Sequence, residues 1–272
     1  MGNPVFSLKN IYFSYLGKFP ALVAVDIDIS LGEKISIIGA NGSGKSTLLH
    51  LLDGLIFADS GELNFCGKVL NELSFKDDKF NRDFRRKVGF VFQNPDVQLF
   101  CPTVKEDIIF GPLQLGFGRE EVGKRMEKVI CALGISGLLD RSPHQLSVGE
   151  KRKVAIASTL IIEPDIIILD EPTAGLDPQT SRKIIDLFIQ ENLNGKTVIT
   201  STHDLHIVEE ISDMVYVFGQ EKRVVKCGSP GSILADVSLL TENNLAHVHS
   251  HRHKDKVHIH PHLHLEHHAQ DV

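Results

Sequence analysis

The chain has 272 residues, of which 42% are hydrophobic and 24% charged, so it is long enough to form one or two globular domains with buried cores. Its 29 basic and 35 acidic residues leave a formal net charge of −6, which argues against a basic surface for nucleic acid. No apolar run reaches the ~20 residues of a membrane-spanning helix, and the N-terminus lacks the pattern of a secretory signal, so we expect a cytoplasmic chain.

Short apolar segments alternate with helical segments along most of the chain. Runs rich in β-branched and aromatic residues predict strands at Val5–Phe13, Leu22–Ile29, Lys34–Ile38, Lys87–Phe92, Ile166–Leu169, Lys196–Thr200 and Met214–Phe218. Helical spacing and boundary residues predict helices at Lys45–Leu52, Val122–Leu133 and Pro178–Gln190. We place a turn at Leu16–Pro20. The alternation favours an α/β fold with a mostly parallel sheet.

A glycine-rich turn follows the predicted strand Lys34–Ile38. The sequence GANGSGKS, from Gly39 to Ser46, fits the pattern G-x-x-x-x-G-K-[ST] at every fixed position. In this pattern, backbone N–H groups and a helix N-terminus face the phosphates, a lysine reaches the terminal phosphates, and the final hydroxyl binds Mg²⁺. The predicted nucleotide-binding residues are Gly39, Asn41, Gly42, Ser43, Gly44, Lys45, Ser46 and Thr47.

Two carboxylates end a later apolar run, in the sequence IIILDE. A buried strand would deliver Asp170 to the carboxyl edge of the sheet, where open α/β folds bind ligands. We therefore predict that Asp170 helps to hold Mg²⁺, and that Glu171 orients or deprotonates the attacking water. The alternative is a surface Asp-Glu pair at the end of a strand, which the upstream phosphate loop disfavours.

The segment Leu146–Glu150, with the sequence LSVGE, precedes a helix whose first turn is basic. At this point the chain resembles the ATP-binding-cassette (ABC) family, whose signature is a serine-and-glycine turn that opens a helix. Val148 stands where the family has glycine, and Glu150 stands where it has glutamine. The resemblance implies that Ser147, Gly149 and Glu150 contact ATP bound by a second subunit, whereas ordinary helix capping is the alternative interpretation.

Further family elements follow in the expected order, and the resemblance covers about residues 5–235. It implies that Gln93 senses Mg²⁺, that Asp177 communicates across a dimer, and that His203 contacts the γ-phosphate. Together with Glu171, His203 is the expected catalytic residue. The implied fold is a P-loop NTPase core with a parallel sheet, an N-terminal antiparallel β subdomain and an inserted helical subdomain at about 94–160. This ATPase domain would span 1–240, with a histidine-rich tail at 241–272.

An aromatic residue before the phosphate loop completes the resemblance. Tyr15 matches the residue that stacks on adenine in the family. Tyr12 or Phe13 are alternatives for that role, or all three rings belong to the core.

The chain carries one phosphate loop and one signature segment. In the ABC family these two elements belong to the same ATP site only when they come from opposite subunits. The resemblance therefore implies a head-to-tail dimer with two composite ATP sites, which is a homodimer unless a paralogous subunit exists.

The segment that begins with the glutamine points to one branch of the family. The sequences QNPDVQLF, from Gln93 to Phe100, and DIIFGP, from Asp107 to Pro112, resemble the ATPases of energy-coupling-factor importers, particularly the cobalt/nickel type. Val97, Leu99 and Phe100 would form an apolar patch for a helix of a membrane partner. The alternative is that they cover the core of their own subdomain.

These resemblances imply an ATPase subunit on the cytoplasmic face of the membrane that works with ATP, Mg²⁺ and integral membrane subunits to import nickel or cobalt. The alternatives are a vitamin-type energy-coupling-factor importer and a soluble ABC ATPase that acts on DNA or ribosomes. The interval between Lys45 and Asp170 is too short for the coiled coil of DNA-repair forms. A P-loop GTPase would need an N-K-x-D motif, which is absent. We expect no nucleic-acid partner.

Ten of the 14 histidines lie in the last 26 residues. Eight of them alternate with other residues: His247, His249, His251, His253, His258, His260, His262 and His264. In an extended chain this spacing places each group of four on one side, and neutral imidazoles suit Ni²⁺ or Co²⁺. We predict a transition-metal-binding tail, against the alternative of a solubilising one. The cysteines lack metal-site or disulfide spacing: Cys66, Cys101, Cys131 and Cys227.

Overall fold

The computed structural model describes residues 4–253 and 256–263, with side chains described as far as Ala246. The strands are β1 (Phe6–Tyr15), β2 (Phe19–Ile29), β3 (Lys34–Gly39), β4 (Ser60–Phe65), β5 (Lys68–Val69), β6 (Val88–Val91), β7 (Ile166–Asp170), β8 (Thr197–Thr202), β9 (Met214–Phe218), β10 (Val224–Gly228), β11 (Ala246–His253) and β12 (Lys256–Leu263). The helices are α1 (Lys45–Leu52), α2 (Glu72–Phe75), α3 (Asp78–Lys87), α4 (Val104–Gln114), α5 (Arg119–Leu133), α6 (Val148–Leu160), α7 (Pro178–Leu193), α8 (Leu205–Ile211), α9 (Pro230–Leu234) and α10 (Val237–Glu242).

An antiparallel sheet lies at the N-terminal side, with strand order β2-β1-β4-β5. Phe6 of β1 pairs with Ile29 of β2 on one side and with Phe65 of β4 on the other. All three side chains are buried, because alternate residues of β1 face the core that this sheet shares with the central sheet. This sheet supplies one wall of the candidate site.

The central sheet has the order β10-β9-β3-β8-β7-β6, in which β10 pairs antiparallel and all other neighbours are parallel. Every residue of β7 and β8 is buried, as expected for parallel strands covered on both faces by other elements. Because β3, β7 and β8 run in the same direction, their carboxyl ends meet at one edge. The phosphate loop, the two carboxylates and His203 all follow these strand ends.

A helical insertion separates β6 from β7 in the sequence. Its helices α4, α5 and α6 pack around an apolar core of their own, which includes Leu99, Val104, Ile108, Val122 and Val154. At the start of α4, Thr103 and Glu106 form a capping box, which satisfies free N–H groups of the first turn. A residue with left-handed backbone, Gly134, ends α5.

The predicted fold class is confirmed: an antiparallel β subdomain, a mostly parallel sheet and inserted helices are present. The strand Met214–Phe218 is observed with the predicted bounds. The predicted turn Leu16–Pro20 is wrong at its end, because Phe19 and Pro20 pair with β1 and begin β2. The helix predicted to end at Gln190 continues to Leu193. Within the described residues, no helix is both long and apolar enough to cross a membrane.

Candidate functional site

The phosphate loop connects β3 to α1. Gly44 is the N-cap of α1 with φ of 110°, and a side chain at this position would place its Cβ 2.4 Å from the Ala21 carbonyl oxygen. Gly42 also has left-handed backbone, with φ of 75°. The two glycines let the chain curl so that backbone N–H groups and the start of a helix face the same space.

Lys45 is the first residue of α1, and only 6% of it is exposed. Its Nζ donates to the carbonyl oxygens of Gly39 at 2.8 Å and Ala40 at 3.3 Å, and lies 3.9 Å from Glu171 Oε1. Burial lowers the pKa of Lys45, while the charges of Glu171 and Asp170 partly oppose this shift. An anion bound at the open side of the loop would therefore stabilise the charged form of this buried ammonium group.

The two predicted acidic residues share a hydrogen-bond partner that the sequence did not indicate. Ser201, at the buried end of β8, donates its hydroxyl to Asp170 Oδ1 at 2.5 Å. The same hydroxyl accepts from the backbone N–H of Glu171 at 3.1 Å. Glu171 is 5% exposed and has left-handed backbone with φ of 46°, a strained conformation for a residue with a side chain. Ser201 thus fixes the position of both acidic residues.

His203 lies beside the second carboxylate, two residues after Ser201. Its Nδ1 is 2.8 Å from Glu171 Oε2, and its side chain is 55% exposed. The hydrogen bond with Glu171 raises the pKa of His203, and burial opposes the shift. The arrangement places a carboxylate between an ammonium group and an imidazole, where it can accept a proton or orient a water molecule.

An open cleft of about 500 Å³ lies in front of the phosphate loop. This volume is sufficient for a nucleotide. The lining residues come from β1, β2, the loop, α1, the segment after β6, the end of β7 and the β9–β10 turn: Tyr15, Phe19, Pro20, Ala21, Asn41, Gly42, Gly44, Lys45, Ser46, Thr47, Gln93, Glu171 and Lys222.

The aromatic wall of the cleft includes Tyr15, which is 43% exposed and whose hydroxyl is 3.2 Å from Thr47 Oγ1. Phe13 stands behind it, with the two rings 5.0 Å apart and nearly perpendicular, and packs against the core. Tyr12 is not among the lining residues. Phe19 lines the cleft and is 62% exposed, although its place in the predicted turn gave no indication of this.

A second residue that the sequence did not point to is Lys222, in the turn between β9 and β10. Its Nζ donates to the carbonyl oxygen of Gly42, and its own carbonyl accepts from the N–H of Val23. The turn thereby joins the phosphate loop to the antiparallel sheet and adds a cation to the cleft. Its position 180 residues after Gly42 left no local pattern to detect.

The residues present fit a nucleotide with its Mg²⁺. The Ser43 hydroxyl is buried without a hydrogen-bond partner, and the space next to Gly42 is open where a side chain would otherwise stand. Ser46 and Gln93 line the cleft and Asp170 is the last residue of β7, so a hydroxyl, an amide and a carboxylate are present at this edge of the sheet. Such oxygen donors are the ligands that Mg²⁺ prefers.

The LSVGE segment does not line this cleft. Ser147 is the N-cap of α6 and forms a capping box with Glu150: its N–H and hydroxyl both donate to Glu150 Oε2 at 2.8 Å. These hydrogen bonds lower the pKa of Glu150. A Cβ on Gly149 would lie 3.8 Å from the Thr180 methyl group, in the first turn of α7, and 3.9 Å from the Leu176 side chain.

Asp177 begins α7, where its carboxylate accepts from the N–H of Thr180 at 2.9 Å. The hydrogen bonds with Thr180 lower the pKa of Asp177. Gln93 is exposed, while its backbone carbonyl accepts from the buried guanidinium of Arg152 at 2.5 Å. Asp177 thus caps a helix, and Gln93 joins the cleft to the helical insertion.

The tail histidines are described only as backbone. Strands β11 and β12 pair antiparallel, with His247 opposite His262, His249 opposite His260, and His251 opposite His258. His253 is opposite Lys256, and His264 lies outside the described residues, as do the side chains of all eight histidines. Among the side chains that are described, no group of three or more His, Cys, Asp or Glu could hold a metal ion.

Comparisons with known proteins identify the family and the fold. The family model described as "ABC transporter" matches residues 22–174. The chain is 45% identical to the nickel import ATP-binding protein NikO of Rhodobacter capsulatus, over 89% of this chain and 96% of that protein. It is 42% identical to the energy-coupling factor transporter ATP-binding protein EcfA of Methanocaldococcus jannaschii, over 87% and 83% of the two chains. The structure of cbiO1 from Clostridium perfringens, part of the ABC transporter complex cbiONQ, superposes with a TM-score of 0.74 at 35% identity, covering 90% of this chain and 96% of that one.

Proposed function

Since this chain belongs to the ABC transporter family and is an ATPase subunit, we propose that it couples ATP hydrolysis to the import of Ni²⁺ or Co²⁺ through membrane subunits. The observation that carries the ATP-hydrolysis part of the proposal is the convergence of Lys45, Glu171 and His203 beside one glycine-rich cleft. Two carbonyl contacts of Lys45 are of the kind that an arriving phosphate group replaces. The resulting site suits phosphoryl transfer to water.

In the proposed mechanism, the loop N–H groups and Lys45 bind the β- and γ-phosphates and balance their charge. Ser46, Gln93 and Asp170 would hold Mg²⁺, which supplies further charge neutralisation when bound. Glu171 orients the attacking water and accepts its proton, because Ser201 fixes its backbone, Lys45 lies beside its Oε1, and the residue lines the cleft. His203 is hydrogen-bonded to Oε2 of that carboxylate, and it would also contact the γ-phosphate.

We expect Glu171→Gln to bind ATP normally and to hydrolyse it at least about 100-fold more slowly, because only the proton-accepting carboxylate is lost. The trapped ATP should also hold two subunits together. Steady-state phosphate release and equilibrium binding of a fluorescent ATP analogue measure the two properties. Lys45→Ala should instead weaken binding itself, and Glu209→Gln, an exposed carboxylate on α8, should match the parent. Hydrolysis at the parental rate by Glu171→Gln would contradict the assignment of the base.

The nickel or cobalt substrate rests on relatives and on sequence resemblance rather than on the cleft, whose proposed ligand is the nucleotide. NikO favours nickel, whereas EcfA equally supports an importer of the energy-coupling-factor type with another substrate, such as a vitamin. Uptake of ⁶³Ni²⁺ or ⁵⁷Co²⁺ by cells with and without the gene decides between them. ATP-dependent uptake of a vitamin, with no change in metal uptake, would leave the ATPase assignment intact and overturn the metal substrate.

The proposed assembly is a dimer of ATPase subunits on the cytoplasmic face of the membrane. Ser147, Gly149 and Glu150 would complete the ATP site of the second subunit, since they lie outside the cleft of their own chain. A membrane subunit would dock on the Phe100 patch, which we define as the exposed side chains Val97, Phe100, Phe110 and Leu113. Leu99, predicted as part of this patch, is 5% exposed and belongs to the core of the helical insertion.

The proposed tail, residues 241–272, follows an ATPase domain at 1–240 and binds Ni²⁺ or Co²⁺ to buffer the metal or signal its sufficiency. The backbone register supports this, because it puts three pairs of histidines directly opposite each other on two antiparallel strands. Cβ atoms at opposite positions lie about 4.5–5.5 Å apart, which suits two imidazoles on one ion. Binding should weaken below about pH 6, where protonation competes with the metal.

Titration calorimetry with NiCl₂ and CoCl₂ tests the tail on the full chain and on a protein that ends at Ala246. We expect the truncated protein to lose metal binding and to keep its basal ATP hydrolysis, because every residue of the nucleotide cleft precedes Val224. The same stoichiometry and affinity in both proteins would refute the metal-binding role. An ATPase that is folded and dimeric but inactive after truncation would refute the independence of the two parts.

A further inference from the structure

Arg152 is a buried cation on the signature helix α6, with 1% of its surface exposed. Its Nη1 donates to the Phe92 carbonyl at 2.6 Å and its Nη2 donates to the Gln93 carbonyl at 2.5 Å. Its Nε is buried without a partner; burial lowers the pKa of Arg152, and the charge of Asp170, which forms no ion pair with it among the described residues, partly opposes this shift. Burying a guanidinium group against neutral carbonyls costs free energy. The two hydrogen bonds from Nη1 and Nη2, which we call the Arg152 fork, therefore need an explanation other than stability.

The Arg152 fork attaches helix α6 to the segment Phe92–Gln93, which leads into the nucleotide cleft. Phe92 and Gln93 follow β6, and Gln93 lines the cleft. Gln98 attaches the same segment a second time: its Oε1 accepts from the Phe92 N–H at 3.2 Å, and its Nε2 donates to the Ala155 carbonyl of α6 at 2.9 Å. Both backbone polar groups of Phe92 are therefore tied to α6 through side chains.

The opposite end of this connection is the start of α6. Ser147 precedes Arg152 by five residues, about 7.5 Å along the helix axis. An α-helix of this length moves as a rigid element, so a displacement of the Gln93 backbone reaches Ser147 through Arg152 with little loss. Arg152 thus stands between the cleft of its own chain and the segment proposed to serve the partner's cleft.

We propose that Arg152 is a positioning residue that couples the nucleotide cleft, through the backbone of Gln93, to the presentation of Ser147 at the dimer interface. Its planar fork holds two successive carbonyls at once, which a lysine ammonium cannot reproduce with the same geometry. The inference rests on the proposed function, because Ser147 acts on a second copy of the chain.

The test is Arg152→Lys in a Glu171→Gln background, compared with that background alone. We expect binding of the fluorescent probe TNP-ATP to stay within about twofold, because the cleft residues are intact. We expect the ATP concentration for half-maximal dimerisation, measured by light scattering after size-exclusion chromatography, to rise at least about tenfold. Hydrogen–deuterium exchange should show nucleotide-dependent protection of residues 39–52 but no longer of residues 148–160.

Arg125→Lys is the matched control. Arg125 is also largely buried and donates to two backbone carbonyls, those of Ile161 and Ile162, but just beyond the other end of α6. This substitution should leave dimerisation and the exchange of residues 148–160 as in the background. An equal loss of dimerisation and of protection in both variants would show that Arg152 only stabilises the helical insertion.

A second variant covers the case in which Arg152→Lys fails to fold. Gln98→Leu removes the other attachment from a half-buried position, and should shift dimerisation in the same direction by a smaller factor. Parental dimerisation and exchange in both Arg152→Lys and Gln98→Leu would overturn the proposal. If the Glu171→Gln background itself does not dimerise with ATP, the proposed dimer fails, and that outcome is distinct from a failure of the Arg152 coupling.

Discussion

Glu150 holds the serine that the proposed dimer presents to ATP. The Ser147 hydroxyl donates to the Glu150 carboxylate at 2.8 Å, so a negative charge lies beside the expected position of the γ-phosphate. Glu150→Gln keeps an oxygen for the capping box and removes this charge. We expect ATP-driven dimerisation to strengthen by about twofold to fivefold, the range of an exposed charge interaction of ~0.5–1 kcal/mol. Dimerisation measured at two salt concentrations checks this.

The control for this change is Glu106→Gln. Glu106 accepts from the N–H and hydroxyl of Thr103 in a capping box of the same form, at the start of α4. Its substitution removes one negative charge without touching the signature segment. A gain in dimerisation that appears in both variants would trace the effect to net charge and not to Ser147.

The contact between His203 and Glu171 predicts a pH dependence of stability. Because this hydrogen bond raises the pKa of His203, the protonated ring stabilises the folded state. The stabilisation is fully present below the unfolded pKa of about 6.5, and it is lost as pH rises through the higher folded pKa. His203→Gln should lose less stability than the parent between pH 6 and pH 9, as measured by urea denaturation without nucleotide.

His206→Gln provides the comparison, since His206 is exposed on the next helix and its ring takes no part in the Glu171 contact. Its pH profile should follow that of the parent. A His203→Gln profile parallel to the parental one would show that the Glu171 contact does not hold the proton.

Local motifs predicted the residues of the site that lie close together in the sequence. Gly39 to Thr47 could be identified because the phosphate-loop residues are contiguous in the sequence, and IIILDE because an apolar run ends in two acidic residues. Ser201, Lys222 and Arg152 were missed because their contacts span 30 to 180 residues of sequence. A hydroxyl or cation at such a distance has no periodic or spacing signal before the strands are placed.

The Phe100 patch gives a prediction at the level of a helix face. The rings of Phe100 and Phe110 are 5.0 Å apart and nearly perpendicular, which joins the segment after Gln93 to α4 in one apolar surface. Phe100→Glu should leave ATP hydrolysis of the isolated subunit unchanged and should reduce its recovery with membrane subunits at least about tenfold, because a buried unpaired charge is costly. Co-purification from detergent-solubilised membranes measures this.

An equivalent substitution elsewhere separates docking from solubility. Leu193 is 73% exposed at the end of α7, far in the sequence from the patch. Leu193→Glu should assemble like the parent. Equal recovery of Phe100→Glu and the parent would remove this surface from the membrane interface.

Helices with a buried apolar stripe and strands with a continuous apolar run could be predicted from the sequence. Helices and strands with mostly polar residues could not. The segment DKFNRDFRRK forms α3, yet only Phe84 in it is buried, so its pattern gave no helix prediction. The two-residue strand β5 depends on pairing with β4, which no local sequence encodes. The end of α7 moved by three residues because its last turn is polar and lacks a strong boundary before Asn194.

At the level of the whole assembly, two inactive variants should complement each other. In a mixed dimer of Lys45→Ala and Ser147→Ala subunits, one of the two sites contains an intact Lys45 and an intact Ser147. If subunits mix at random and sites act independently, about a quarter of the parental ATP hydrolysis should return. Phosphate release by the 1:1 mixture, against each variant alone, is the measurement. Mixed dimers without any regained hydrolysis would argue against a site shared between subunits.

The position of β3 between β8 and β9 has a consequence for co-translational folding. The strand that carries the phosphate loop is made early, but both of its hydrogen-bonded neighbours lie beyond residue 196. At ordinary translation speeds, synthesis of the residues between β3 and β8 takes roughly 10–30 s. During this time both edges of the apolar strand β3 lack hydrogen-bond partners. The helices of the insertion have their own core and can collapse during that interval. Ribosome-bound chains that stop before Thr197 should therefore depend on chaperones, and release from that dependence should come only when Phe218 has left the exit tunnel.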